Sequence, residues 1–74
     1  MINSGDLWIY TDFIKAMIEL HHDNYYSHSE LSFDDIFIVL ERVEHAHGNY
    51  IKILCKSGVF LMWALDIKSA KQVS

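Results

Sequence analysis

The stretch IFIVLERVEHAHGNYIKILCKSGVFLMWALDI, residues 36–67, decides how this chain folds. It holds three apolar, β-branched runs separated by His47-Gly48-Asn49 and by Ser57-Gly58, and both separators are turn signals. The pattern predicts a three-stranded antiparallel meander. A two-residue turn at Ser57-Gly58 sets Lys56 opposite Val59 and lays Ile51, Ile53 and Cys55 against Ala64, Met62 and Phe60 on one apolar face. In the first hairpin, a three-residue loop from His47 to Asn49 sets Val43 opposite Ile53 and Glu44 opposite Lys52. A two-residue Gly48-Asn49 loop would instead put Glu44 beside Ile53, so matching of faces favours the longer loop. The second face then carries Arg42, Leu40, Tyr50, Lys52, Leu54, Lys56, Val59, Leu61 and Trp63. Leu54, Leu61 and Trp63 are out of place on a plain solvated face, so something is expected to cover it, either the N-terminal segment or a partner.

The flanks are less decided by pattern. Residues 6–10 read either as a strand after a Gly5-Asp6 turn or as the start of a helix capped by Ser4. Residues 12–22, DFIKAMIELHH, are rich in good helix formers, and Asp12 is a ready cap, so a short helix is expected there. The polar stretch 22–35, HDNYYSHSELSFDD, reads as one long loop with Tyr25 and Tyr26 as candidate contacts. Ser32 and Asp35 have capping-box spacing, which allows a helix to follow, but the β-branched and aromatic run from Ile36 to Val39 favours a strand. After Ile67 a turn or short helical piece is expected, and Gln72-Val73-Ser74 can add an edge strand.

Seventy-four residues, 51% of them hydrophobic, make one small folded domain. The formal charge of −4 disfavours a protein that tracks a nucleic-acid backbone. Cys55 is the sole cysteine, so neither an internal disulfide nor a cysteine-rich zinc site is available, and a small core residue is its expected role. The opening residues MINSGD lack the basic and apolar segments of a signal peptide, and the run from Val59 to Leu65 is too short to span a bilayer. A cytoplasmic location is the simplest expectation.

Gly5-Asp6-Leu7 near the start, then IFIVLERV, GNYIKIL and SGVFLMWALDI, together resemble the layout of short SH3-like barrel proteins of tailed phages. Those run through a Gly-Asp-Leu entry strand, a long first loop, a hairpin, a glycine turn, and a Trp-bearing strand before a final helical turn. The resemblance covers most of the chain and implies a small barrel used for binding, often against another protein. The acidic and aromatic pattern by which signalling SH3 domains hold proline-rich peptides is absent, so that ligand is not implied. The fold expected is therefore mainly β, a small SH3-like barrel or meander with a short N-terminal helix. The alternative is an α+β layer with helix 6–22 packed on the sheet.

No residue pattern points to catalysis. Gly-x-Ser-x-Gly, a phosphate-cradling glycine loop and His-Glu-x-x-His are all missing, and Asp34 and Asp35 suit capping better than acid–base chemistry. His45 and His47, with His21, His22 or His28, form only pairs, so no metal site and no cofactor are expected. The expectation is a non-enzymatic protein-interaction module, of the kind an accessory phage protein in the host cytoplasm uses to bind and modulate, for instance as an inhibitor, a host or viral protein. Trp63, Leu61, Leu54 and Tyr50 form its contact centre, with Lys52 at the rim and Trp8, Tyr25 and Tyr26 flanking. A nucleic-acid platform of Lys52, Lys56, Arg42, Tyr50 and Trp63 is the main alternative, and self-association through an uncovered face or edge strand is the third.

Overall fold

The computed structural model describes residues 2–22, 25–45 and 48–74, and for residues 21, 22, 25, 26 and 45 it describes the backbone alone. The fold is mainly β, seven antiparallel strands in a sheet curled into a half-barrel, with almost no helix. The strands are β1 (Leu7–Tyr10), β2 (Ala16–His22), β3 (Tyr25–Leu31), β4 (Ile36–His45), β5 (Gly48–Cys55), β6 (Gly58–Trp63) and β7 (Ala70–Gln72). Their order across the sheet is β3-β2-β6-β5-β4-β1-β7. A single 3-10 segment, Ala64–Ser69, connects β6 to β7.

The expected meander is there as β4-β5-β6, but both registers differ from expectation. In the second hairpin Cys55 lies opposite Gly58, Ile53 opposite Phe60 and Ile51 opposite Met62. The turn is centred on Lys56-Ser57 because Gly58 takes the positive φ of 119° just beyond it. The shift is by an even number of residues, so every side chain keeps its face. The first hairpin closes with His45 opposite Gly48 rather than through a His47-to-Asn49 loop, and residues 46 and 47 lie outside the described residues. Leu40 then forms a bulge, with Glu41 opposite Lys52 on one side of it and Val39 opposite Ile53 on the other. The bulge places Val39 and Phe37 in the core and lets opposite charges face each other at Glu41 and Lys52. It also moves Arg42 to a position opposite Ile51, off the face where alternation had put it.

The expected helix over 12–22 and the long loop over 22–35 are both corrected. Residues 16–22 form β2, paired with β3 along its whole length and with β6 at Ile18 and Glu19. Helix propensity is a weak preference, and two flanking ladders together with period-2 burial outweigh it. Ala16 and Ile18 are buried while Met17 between them is exposed. The alternative helix 6–22 is excluded likewise, since residues 7–10 are a strand between β4 and β7. Of the polar stretch, only the turn between β3 and β4 is loop among the described residues. There the Ser32 N–H donates to Asp35 Oδ2 at 2.8 Å and the Asp35 N–H to the Ser32 carbonyl at 3.0 Å. The capping-box pair thus closes a turn into a strand instead of a helix.

The core lies on the inner side of the curl. Ile18, Leu31, Phe37, Val39, Ile51, Ile53 and Met62 are almost wholly buried, with Tyr10, Ala16 and Phe60 beside them. The 3-10 segment contributes Ala64 and Ile67 to this side, and Ala70 of β7 follows. Cys55 packs against the same core, as expected of a small core residue.

Asp35 ties the sheet's lower end together. Its second oxygen meets Lys56 Nζ at 3.1 Å, and its side chain is only 14% exposed. The Ser32 N–H, and then Lys56, hold its carboxyl below the ordinary value of 3.8 against the opposing effect of burial. A carboxylate with a lowered folded pKa adds stability above its unfolded pKa and loses it as pH falls through the folded one. Asp35→Ala should therefore cost about 1–2 kcal/mol at neutral pH. In chemical unfolding titrated downward from pH 7, the gap to wild type should close below pH 4. A gap that widens on acidification would contradict this role. Asp66 acts in the opposite sense, because burial raises its carboxyl above the ordinary value.

Candidate interaction face

Alternation on the central strands sends Tyr50, Lys52 and Leu54 of β5 and Val59, Leu61 and Trp63 of β6 to the outer face. Tyr50 is opposite Trp63, Lys52 opposite Leu61 and Leu54 opposite Val59. The row continues onto β4 and β1, where Leu54 is opposite Ile38 and Ile38 opposite Leu7. An unbroken apolar line Leu7–Ile38–Leu54–Val59 thus crosses four strands on the side away from the core. Ile38, Leu54 and Val59 remain 36%, 41% and 39% exposed. Singly exposed aliphatics are ordinary, but a contiguous row is the feature that marks contact surfaces.

At the other end of the same face, Tyr50 and Trp63 pack with ring centroids 5.2 Å apart and planes tilted by 42°. Such a tilted pair fixes both rings while leaving Trp63 42% exposed. The ring also lies over the first residue of β5: a Cβ added to Gly48 would stand 3.0 Å from Trp63 Cζ3. Between the aromatic pair and the aliphatic row sit Leu61 and Lys52. Leu61 is buried although it points outward, because its strand is flanked on both sides, by Glu19 of β2 and Lys52 of β5. Lys52 Nζ lies 3.7 Å from Glu41 Oε1. Lys56 is likewise paired, with Asp35.

Five of the residues expected at the contact centre and rim therefore share one face: Tyr50, Lys52, Leu54, Leu61 and Trp63. Trp8 does not join them. It is opposite Phe37, packs against the core on the inner side, and its indole nitrogen is buried without a hydrogen-bond partner. The backbone of Tyr25 and Tyr26 pairs with His22 and His21, while their side chains lie outside the described residues. The same holds for the side chains of His21, His22, His45 and His47, four of the five histidines considered for metal binding; His28 lies on β3.

A second apolar patch was not expected from the sequence. Phe13, in the β1–β2 loop, stacks on Phe33, in the β3–β4 turn, at 4.5 Å between centroids and 10° between planes. Phe13 and neighbouring Ile14 are nevertheless largely exposed. The loop beneath is tied down by several hydrogen bonds. Tyr10 Oη donates to the Ile14 carbonyl at 2.7 Å, the Ile14 N–H to Asp12 Oδ1 at 3.0 Å, and Ser69 Oγ to Asp12 Oδ2 at 3.1 Å. The Asp34 N–H completes the set with a 2.8 Å bond to the Tyr10 carbonyl. Compared with known protein families, with curated proteins and with solved structures, the chain matches none.

Proposed function

We propose that this chain is a non-enzymatic protein-interaction module that binds through the outer face of β4, β5 and β6. The observation that carries the reading is the two-sidedness of the central strands. The inner face supplies a complete core, yet the outer face still presents the Ile38–Leu54–Val59 row and the Tyr50–Trp63 pair. Fixed aromatic rings, an aliphatic patch and a charged pair at Lys52 and Glu41 are the composition of an interface with a desolvating centre. The likeness to small SH3-like phage barrels rests on the sequence layout; of that layout the chain has the short entry strand, the meander and the closing 3-10 turn, while the β2–β3 hairpin stands where the long first loop was expected. The partner proposed on that likeness is a host or viral protein whose activity the binding modulates.

The test is an affinity pull-down from host lysate with wild type and Trp63→Ala at low and high salt. A protein retained at high salt by wild type and lost with Trp63→Ala supports the reading. Nucleic acid released by salt would overturn it in favour of an electrostatic platform. The pairing of Lys52 with Glu41 and of Lys56 with Asp35 leaves such a platform little basic surface.

A further inference from the structure

The half-barrel has two edges, and they are unlike. β7 is three residues long and carries the exposed Lys71, both of which discourage further pairing. β3 is seven residues long and matches β2 without a break from the Ala16–Leu31 pair to the His22–Tyr25 pair. Among the described residues it pairs with no strand on its other side. It contains no proline, no lysine and no bulge; its one formal charge is Glu30, and Ser29 Oγ donates to Ser57 Oγ of its own chain at 3.3 Å, so the backbone edge itself is left open to a further strand.

From this edge we infer that two copies of the chain join through β3, antiparallel about a twofold axis at Ser29, with each His28 facing Glu30 of the other copy. An isologous antiparallel ladder must be self-complementary, and this restricts the register. With the axis at Ser29, that small side chain meets itself, Ser27 meets Leu31, and the His28–Glu30 contact forms twice. With the axis at Glu30, two carboxylates would face each other; with the axis at His28, two imidazoles would, and Glu30 would face Tyr26. Only the Ser29 register sets the strand's one carboxylate against its one imidazole. His28 and Glu30 are both exposed, as an added strand would need. Within each chain Glu30 also meets Lys15 at 3.1 Å, and His28 stands opposite Glu19. The contact runs along the sheet edge and leaves the outer face of β4–β6 free, so it does not depend on the function proposed above.

The test is sedimentation equilibrium of the full chain across a range of concentrations, with circular dichroism of each variant as a check on folding. Wild type should dimerise. His28→Glu, which sets carboxylates face to face in both symmetric contacts, should weaken the dimer about tenfold. Adding Glu30→Lys to His28→Glu should restore it, because a carboxylate then faces an ammonium in both symmetric contacts. If His28→Glu fails to fold, cross-linking decides. In a Cys55→Ser background, Ser29→Cys should oxidise to a covalent dimer while Ser27→Cys does not. A wild type that stays monomeric, or a dimer indifferent to His28→Glu but broken by Trp63→Ala, would overturn the inference.

Discussion

Phe37→Ala is expected to remove a large share of this domain's stability. Phe37 is 1% exposed, on β4 just before the bulge, and it belongs to the cluster that includes Ile18, Ile53 and Met62. Truncating a buried phenylalanine costs about 3–5 kcal/mol, as lost burial plus an unfilled cavity. A chain of 74 residues has roughly 4–11 kcal/mol in total. Urea unfolding should show the midpoint falling steeply or the transition vanishing. Phe13→Ala is the control, because Phe13 is 83% exposed and loses only its stack on Phe33, worth about 1 kcal/mol. Equal costs for the two would contradict the assignment of inside and outside.

Gly48→Ala should be the second most damaging change, and it should reach the aromatic pair on the outer face. Gly48 has φ 148°, so an alanine there carries backbone strain of about 1–3 kcal/mol. Its Cβ would also approach Trp63 Cζ3 and Cη2 at 3.0 and 3.2 Å, tighter than carbon atoms usually pack, so the indole would have to shift by a few tenths of an ångström against Tyr50. Gly58→Ala separates the two effects. Its φ of 119° brings similar strain, but its Cβ would meet Phe60 at an ordinary 3.7 Å. Both variants should lower the unfolding midpoint, Gly48→Ala further, and only Gly48→Ala should shift Trp63 fluorescence. An unchanged spectrum in that variant would mean that the ring does not rest on the β4–β5 hairpin.

The meander and the sidedness of its last two strands were legible because period-2 alternation survives an even shift of register. Ile51, Ile53, Phe60 and Met62 fall inside whether the turn is centred on Ser57-Gly58 or on Lys56-Ser57. Leu40 was not legible as a bulge. Nothing local marks it, and its cause is long-range: the chain near the start docks there, with the Gly5 N–H on the Val39 carbonyl at 2.7 Å and Ser4 Oγ on the Leu40 carbonyl at 2.7 Å. Residues 12–22 misled because Lys15, Ala16, Met17, Glu19 and Leu20 are good helix formers. Yet Ala16, Ile18 and Leu20 also alternate with Met17, Glu19 and His21, and the ladders to β3 and β6 select that second pattern. Once β2 is a strand, YYSHSEL pairs with it along its whole length, although its own residues are too polar to announce a strand. The Phe13–Phe33 stack joins two loops far apart in sequence, so only the folded chain brings it together.

Leu54 and its neighbours face outward, and the proposed binding needs them while the fold does not. Leu54→Glu tests it most directly, measured at once by urea unfolding and by retention of the captured protein. The variant should unfold cooperatively within about 1 kcal/mol of wild type, as for a surface position, and should lose the bound protein. Collapse of the fold would make Leu54 part of the core, and a folded variant that still binds would place the interface elsewhere.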